Sequence, residues 1–238
     1  MLERARELGF EVVVATPHLP EPLSAEYARR VAGALAETRE VAAEVGIEVR
    51  QGFEVALAPD LVRRLERGEP IALGGSRAIL VDLPFSGWPL HAEASLFALQ
   101  TAGYRPVLAH PERYGTVQAD PARAIDLAAR GILLQINLPS LTGLFGQPAR
   151  RAAEALLTAG AVHLAASDAH SPGHRFAAVP EGIGRLRELV GAEGVAVLLD
   201  GTPRALLEGA VLPTPPRAAD AEPGEGWWTR SRRRLGLG

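Results

Sequence analysis

Five apolar runs in this chain end in a histidine or a carboxylate. E-V-V-V-A-T-P-H ends at His18, I-E-V-R-Q-G-F-E at Glu54, A-I-L-V-D at Asp82 and P-V-L-A-H at His110. The fifth, V-H-L-A-A-S-D-A-H, delivers Asp168 and His170 together. Three imidazoles and three carboxylates form a donor set for more than one divalent ion. Such ions activate water and offset the charge of a transition state. Asp82 lies inside V-D-L-P, where a carboxylate needs a cation partner, either a metal, an arginine or a lysine. Arg113 and Arg175 each follow a candidate histidine by a few residues. Guanidinium forks match phosphate oxygens, so metal donors beside two arginines favour a phosphoryl substrate over a peptide or an ester.

Each residue taken alone has an ordinary explanation. Glu54 reads as a surface carboxylate, His18 as a structural histidine, and either arginine as half of a salt bridge, for instance to Glu112. Their shared placement at the ends of runs makes the joint reading stronger than the separate ones. His91 opens a helix and His163 opens a strand, and both read as structural; His174 joins the group only by proximity. The chain has no Walker-type loop, no G-x-G-x-x-G after a strand and no G-x-S-x-G elbow.

The elements that must carry these residues alternate. Strands are predicted over 10–15, 47–54, 78–83, 106–109, 132–137 and 162–167. Helices are predicted from Ser24 to Val45, Pro59 to Arg67, His91 to Ala102, Asp120 to Arg130 and Pro148 to Ala159, then over about 180–190 and 192–208. Met1 to Gly9 reads as the end of a helix, and 138–147 as a Gly/Pro-containing loop. Regular alternation means parallel strands with covering helices, and in a parallel barrel active sites lie at the C-terminal ends of the strands.

Apolar residues make up 47% of the 238 and charged residues 22%, which suits one globular domain of α/β-barrel size. A net charge of −3 gives no pull toward nucleic acid or an anionic membrane. Without cysteine there is no disulfide, no thiolate nucleophile and no Cys-based metal site. L-E-R-A-R-E after Met1 is not an apolar leader, and no apolar run approaches membrane-spanning length, so a cytoplasmic protein is expected. The domain is expected over 1–210. A mobile Pro/Ala-rich tail is expected over 211–238, with Trp227, Trp228 and the basic run 230–234 at its end. That run reads as a solvated tail; the rival reading is a docking patch for an acidic partner or a membrane surface.

The blocks A-T-P-H, G-F-E-V, A-H-P-E-R-Y and S-D-A-H followed by Arg175 resemble the polymerase-and-histidinol-phosphatase (PHP) superfamily. Within it they resemble the bacterial tyrosine-protein phosphatases of capsule and exopolysaccharide loci, the CpsB/CapC type. The resemblance runs from about Leu2 to Glu208. It implies a distorted seven-stranded α/β barrel with two or three divalent ions, usually manganese. It also implies hydrolysis of phosphotyrosine on the tail of the kinase that controls polysaccharide export. The implied metal ligands are His18, Glu54, Asp82, His110, Asp168 and His170, with Asp168, His170, Arg113 and Arg175 catalytic and the two arginines binding phosphate. Asp82 stands where the family usually has Glu, one methylene longer. The family's opening strand with H-x-H has no counterpart here, so the first barrel strand and two ligands are expected to be missing. An edge left open there would expose backbone groups and favour dimers. Two rival functions follow: a non-catalytic relative that binds a phosphotyrosine tail, and a phosphatase for a small monoester such as histidinol phosphate.

Overall fold

The computed structural model describes residues 1–20 and 23–218. Helix α1 (Leu2–Glu7) leads to strand β1 (Val12–Ala15) and helix α2 (Ala25–Glu44). Ser24 caps α2 by accepting the Tyr27 N–H at 3.1 Å. Strands β2 (Glu48–Gln51) and β3 (Glu54–Ala56) and helix α3 (Leu61–Glu66) follow, then β4 (Ala78–Asp82), α4 (Ala92–Thr101) and β5 (Arg105–Ala109). Next come α5 (Gly115–Ala119), α6 (Ala122–Ala129), β6 (Leu133–Asn137), α7 (Leu138–Leu141), α8 (Gln147–Thr158) and β7 (Leu164–Ala166). The described chain closes with α9 (His174–Ala177), α10 (Val179–Ala196) and α11 (Thr202–Glu208).

Every strand pairing is parallel, in the orders β1-β2 and β3-β4-β5-β6-β7. The expected strand 47–54 is in fact two, broken at Gly52 and Phe53. Gly52 donates its N–H to the Ala15 carbonyl, and a Cβ there would lie 2.7 Å from Leu73 and 3.0 Å from Val14. The chain leaves its pairing with β1 at this tight crossing and joins β4. A lone parallel bridge, His18 to Glu54, links the two sheets.

Strands β4 to β6 are buried along nearly their whole length, as their continuous apolar runs require of a parallel sheet. Residues two apart share a face. Ile79, Val81, Leu108, Leu134 and Ile136 pack against the helices with Leu96, Leu99, Leu127 and Leu156. Leu80, Val107, Ala109, Leu133 and Leu164 form a second, smaller cluster with Leu73 and Leu206. On that second face the alternation continues past Leu80 to Asp82, past Leu133 to Gln135 and Asn137, and past Leu164 to Asp168. An apolar floor therefore gives way to polar side chains at the C-terminal ends of the strands.

Three further departures from the sequence expectations have local causes. β7 is shorter than 162–167 because the His163 ring, rather than a backbone carbonyl, takes the Leu134 N–H. The expected loop 138–147 begins with α7, all four residues of which are buried. The break near 191 is a kink at Gly191 (φ 71°, ψ 177°), and a π turn over Val197–Gly201 joins α10 to α11. Residues 211–218 form neither helix nor strand; Leu212 packs against the second cluster. Trp227, Trp228 and the basic run lie outside the described residues. No helix among the described residues is long and apolar enough to cross a membrane.

Candidate active site

His18, Glu54 and Asp82 come together from the loop after β1, the start of β3 and the end of β4. Each offers a ligand atom, and these atoms lie within 4.8 Å of one another. Asp82 has no hydrogen-bonded or ion-paired cation among the described residues. Burial, and then the neighbouring Glu54 charge, push its carboxyl above the usual carboxylate range. A partly buried carboxylate with no cation of its own, beside a second carboxylate, forms a site that calls for a cation.

His110 extends this group. Its Nε2 lies 3.0 Å from Glu54 Oε1, in a contact buried on both sides. Burial works against charge on both groups, but the hydrogen bond and mutual attraction outweigh it. The Glu54 pKa falls and the His110 pKa rises. His110 Nδ1 is buried with no hydrogen-bond partner, an imidazole nitrogen left available as a ligand. The residues present thus fit a divalent ion bound through imidazole and carboxylate.

Asp168 and His170 sit with the arginines. Asp168 Oδ2 accepts from Asn137 Nδ2 at 2.7 Å, Arg113 Nη1 at 3.1 Å and Arg175 Nη1 at 3.2 Å. His170 Nδ1 lies 2.9 Å from Arg175 Nη1. The two subsets meet where the His18 and His170 rings approach, with centroids 6.1 Å apart. Of the six expected ligands, the structure draws His18, Glu54 and Asp82 into one cluster, attaches His110 through Glu54, and ties Asp168 to guanidinium groups. Arg113 is held between Phe85 and Phe145, 4.6 and 4.2 Å from the ring centroids, and Arg175 lies 5.3 Å from Phe145.

Two of these positions are strained. His110 (φ 34°) and Asp168 (φ 47°) are the non-glycine residues with positive φ among the described residues. Such backbone costs about 1–3 kcal/mol each and persists only where the surroundings impose it. Around His110 that framework is Tyr114 and Glu112. The buried Tyr114 hydroxyl donates to the Ala109 carbonyl at 2.7 Å and accepts the Leu83 N–H at 3.0 Å, tying the end of β5 to the end of β4. Glu112 Oε1 accepts from the Ser140 hydroxyl at 2.6 Å and the Asn137 N–H at 2.9 Å. This fastens the turn Pro111–Arg113 to the end of β6. Burial raises the Glu112 pKa.

Sequence reasoning missed Asn137, Glu112, Tyr114, Phe85 and Phe145. Asn137 had a signal: I-L-L-Q-I-N is an apolar run ending in a polar residue, but its amide does not ionise. His91 and His163 are engaged by backbone, His91 Nε2 lying 3.1 Å from the Leu57 carbonyl and His163 Nδ1 accepting from Leu134 at 3.2 Å. His174 opens α9.

The model of the capsular polysaccharide synthesis family CpsB/CapC matches residues 1–208. Tyrosine-protein phosphatase YwqE of Bacillus subtilis is 28% identical over 219 residues, spanning 91% of this chain and 86% of that protein. Tyrosine-protein phosphatase CpsB of Streptococcus pneumoniae is 25% identical over 214 residues, spanning 87% and 88%. A chain from the crystal structures of YwqE and CpsB, described as unique metal-dependent tyrosine phosphatases, superposes with a TM-score of 0.80 at 27% identity. The match covers 92% of this chain and 90% of that one. The chain belongs to the CpsB/CapC family.

Proposed function

We propose that this CpsB/CapC family member is a metal-dependent protein-tyrosine phosphatase of capsular or exopolysaccharide synthesis. One observation carries the reading: two guanidinium groups converge on Asp168 beside a His/Glu/Asp donor set. His18, Glu54, Asp82 and His110 would hold divalent ions, manganese in the first instance, with Asp168 and His170 completing a set for two or three ions. When bound, such ions supply Lewis acidity and a water of lowered pKa. Arg113 and Arg175 bind and orient the phosphate, and their fixed charge matches the developing transition state. Asp168, held by Asn137, keeps both guanidinium groups at the phosphate position. His170 stands at the exposed rim beside Arg175, on the side where the leaving phenolate oxygen would depart. A chain without cysteine forms no cysteinyl-phosphate intermediate.

The substrate under this reading is the phosphorylated tyrosine tail of a kinase of polysaccharide export, met in the cytoplasm. The catalytic unit is residues 1–210, with 211–238 as an appended tail. Under this reading the two parallel sheets belong to a distorted barrel of the PHP type. A cavity of about 430 Å³ lies between β1 and the helices near the end of the described chain, against Val12, Val14, Leu199 and Leu207.

The test is hydrolysis of a phosphotyrosyl peptide. Turnover should disappear on exhaustive chelation, return with manganese and survive thiol alkylation. Turnover that persists after chelation would remove the metal from the reading. Peptide binding without turnover would favour the non-catalytic alternative.

A further inference from the structure

Large apolar side chains are exposed at few places on the described surface, and three of them fall on the two loops beside the arginines. Phe85 and Leu90 lie on the loop after β4, and Leu144 on the loop after α7. Phe85 is 51% exposed, although its backbone is fixed by accepting the Gly115 N–H at 3.1 Å. Next to Leu144, Phe145 faces the guanidinium groups of both Arg113 and Arg175. Phe85, Phe145, Arg113 and Gln118 line a small open cavity of about 210 Å³, several times the volume of a water molecule. Below this apolar rim the polar groups are recessed, the side chains of Arg113 and Asp168 being 15% and 10% exposed.

We infer that Phe85 and Phe145 form a wall that receives the ring of an aryl phosphate and selects aryl over alkyl esters. The inference rests on the proposed phosphatase reading and adds residues to its specificity. A phosphate seated at Arg113 and Arg175 has its ester oxygen at the floor of the recess. An aromatic leaving group then spans the recess and meets Phe85 and Phe145 in stacked or edge contact. A serine or threonine ester is too short to span it and would press the peptide backbone onto the rim. The apolar rim also gives a ring a place to bury area that a methylene group lacks.

Selectivity is read as the ratio of kcat/KM for phenyl phosphate to that for a short alkyl phosphate. Phe85→Leu should lower the ratio roughly three- to tenfold, and Phe85→Tyr should restore it. A ring that merely steadies Arg113 would lower both rates together and leave the ratio unchanged, which would overturn the inference. Phe145→Leu should lower the ratio in the same direction, so a poorly folding Phe85 variant does not end the test. Binding gives an independent readout: by calorimetry the native protein should prefer phenylphosphonate to methylphosphonate, and Phe85→Leu should lose that preference. Equal binding of the two phosphonates by the native protein would overturn the inference. A native protein that hydrolyses neither ester, yet prefers phenylphosphonate, would overturn the phosphatase reading and leave the wall standing.

Discussion

The strand that leads to Asp168 is fastened at its start by a neutral histidine, and acid should undo it. His163 Nδ1 accepts the Leu134 N–H at 3.2 Å, while the His163 N–H donates to the Leu134 carbonyl at 2.9 Å. Burial lowers the His163 pKa from 6.5 to about 4. Protonation at Nδ1 would turn the acceptor into a donor facing another donor. The unfolded chain takes up this proton near pH 6.5 and the folded chain only near pH 4, so between them the unfolded state binds more protons. The contribution is intact above pH 6.5 and is lost as pH falls through about 4. At about 1.4 kcal/mol per pH unit the loss is about 3 kcal/mol. Urea unfolding of the native protein and His163→Gln from pH 7 to pH 4 isolates the effect, because glutamine keeps an acceptor and does not titrate. The native protein should lose about 3 kcal/mol more than the variant over that range. A stability difference that stays constant with pH would refute the assignment of a neutral, acceptor Nδ1.

Two further outcomes follow from geometry. Gly182→Ala would place a Cβ 2.6 Å from the Leu138 backbone carbonyl oxygen, whereas at Gly184 nothing lies within 4 Å. Urea unfolding should show a loss of about 1–3 kcal/mol for the first. For Gly184→Ala it should show no loss, or a gain of up to about 1 kcal/mol. Arg113→Ala should lower kcat/KM on a phosphotyrosyl peptide about 10²- to 10³-fold, as expected for removing one transition-state donor. Arg113→Lys should recover little of it, since an ammonium neither forks nor stacks between Phe85 and Phe145 as a guanidinium does.

Much of the site was legible because parallel strands impose a simple rule. Their interiors are apolar on both faces, so a polar residue that ends the run marks the C-terminal edge of the sheet. Asp82, His110 and Asp168 obey that rule, His18 lies just past β1, and Glu54 departs from it by opening β3. Asn137 obeys it too, but a search for ionisable groups passes over an amide. Tyr114 and Glu112 were invisible because they act across the fold, through partners such as Leu83 and Ser140 that only tertiary structure brings near. Phe145 looked like an ordinary loop residue, and its contacts with two arginines have no local signature. The division at Gly52 was hidden because an apolar run reads the same whether its strand pairs with one neighbour throughout or changes neighbours midway.

The order of residues along the chain also divides the site in time. His18, Glu54 and Asp82 belong to the first strands, while Arg113, Asn137, Asp168 and Arg175 belong to the later ones. Neighbouring strands follow one another in sequence, so the sheet can grow from its N-terminal side as the ribosome extends the chain. The acidic half of the site is then synthesised while the guanidinium groups that will face it do not yet exist. During that interval His18 is the basic member of the cluster already made, and cations in the surrounding solution are the available counter-charge. The nascent chain is equipped to meet a metal ion before it is equipped to meet a phosphate.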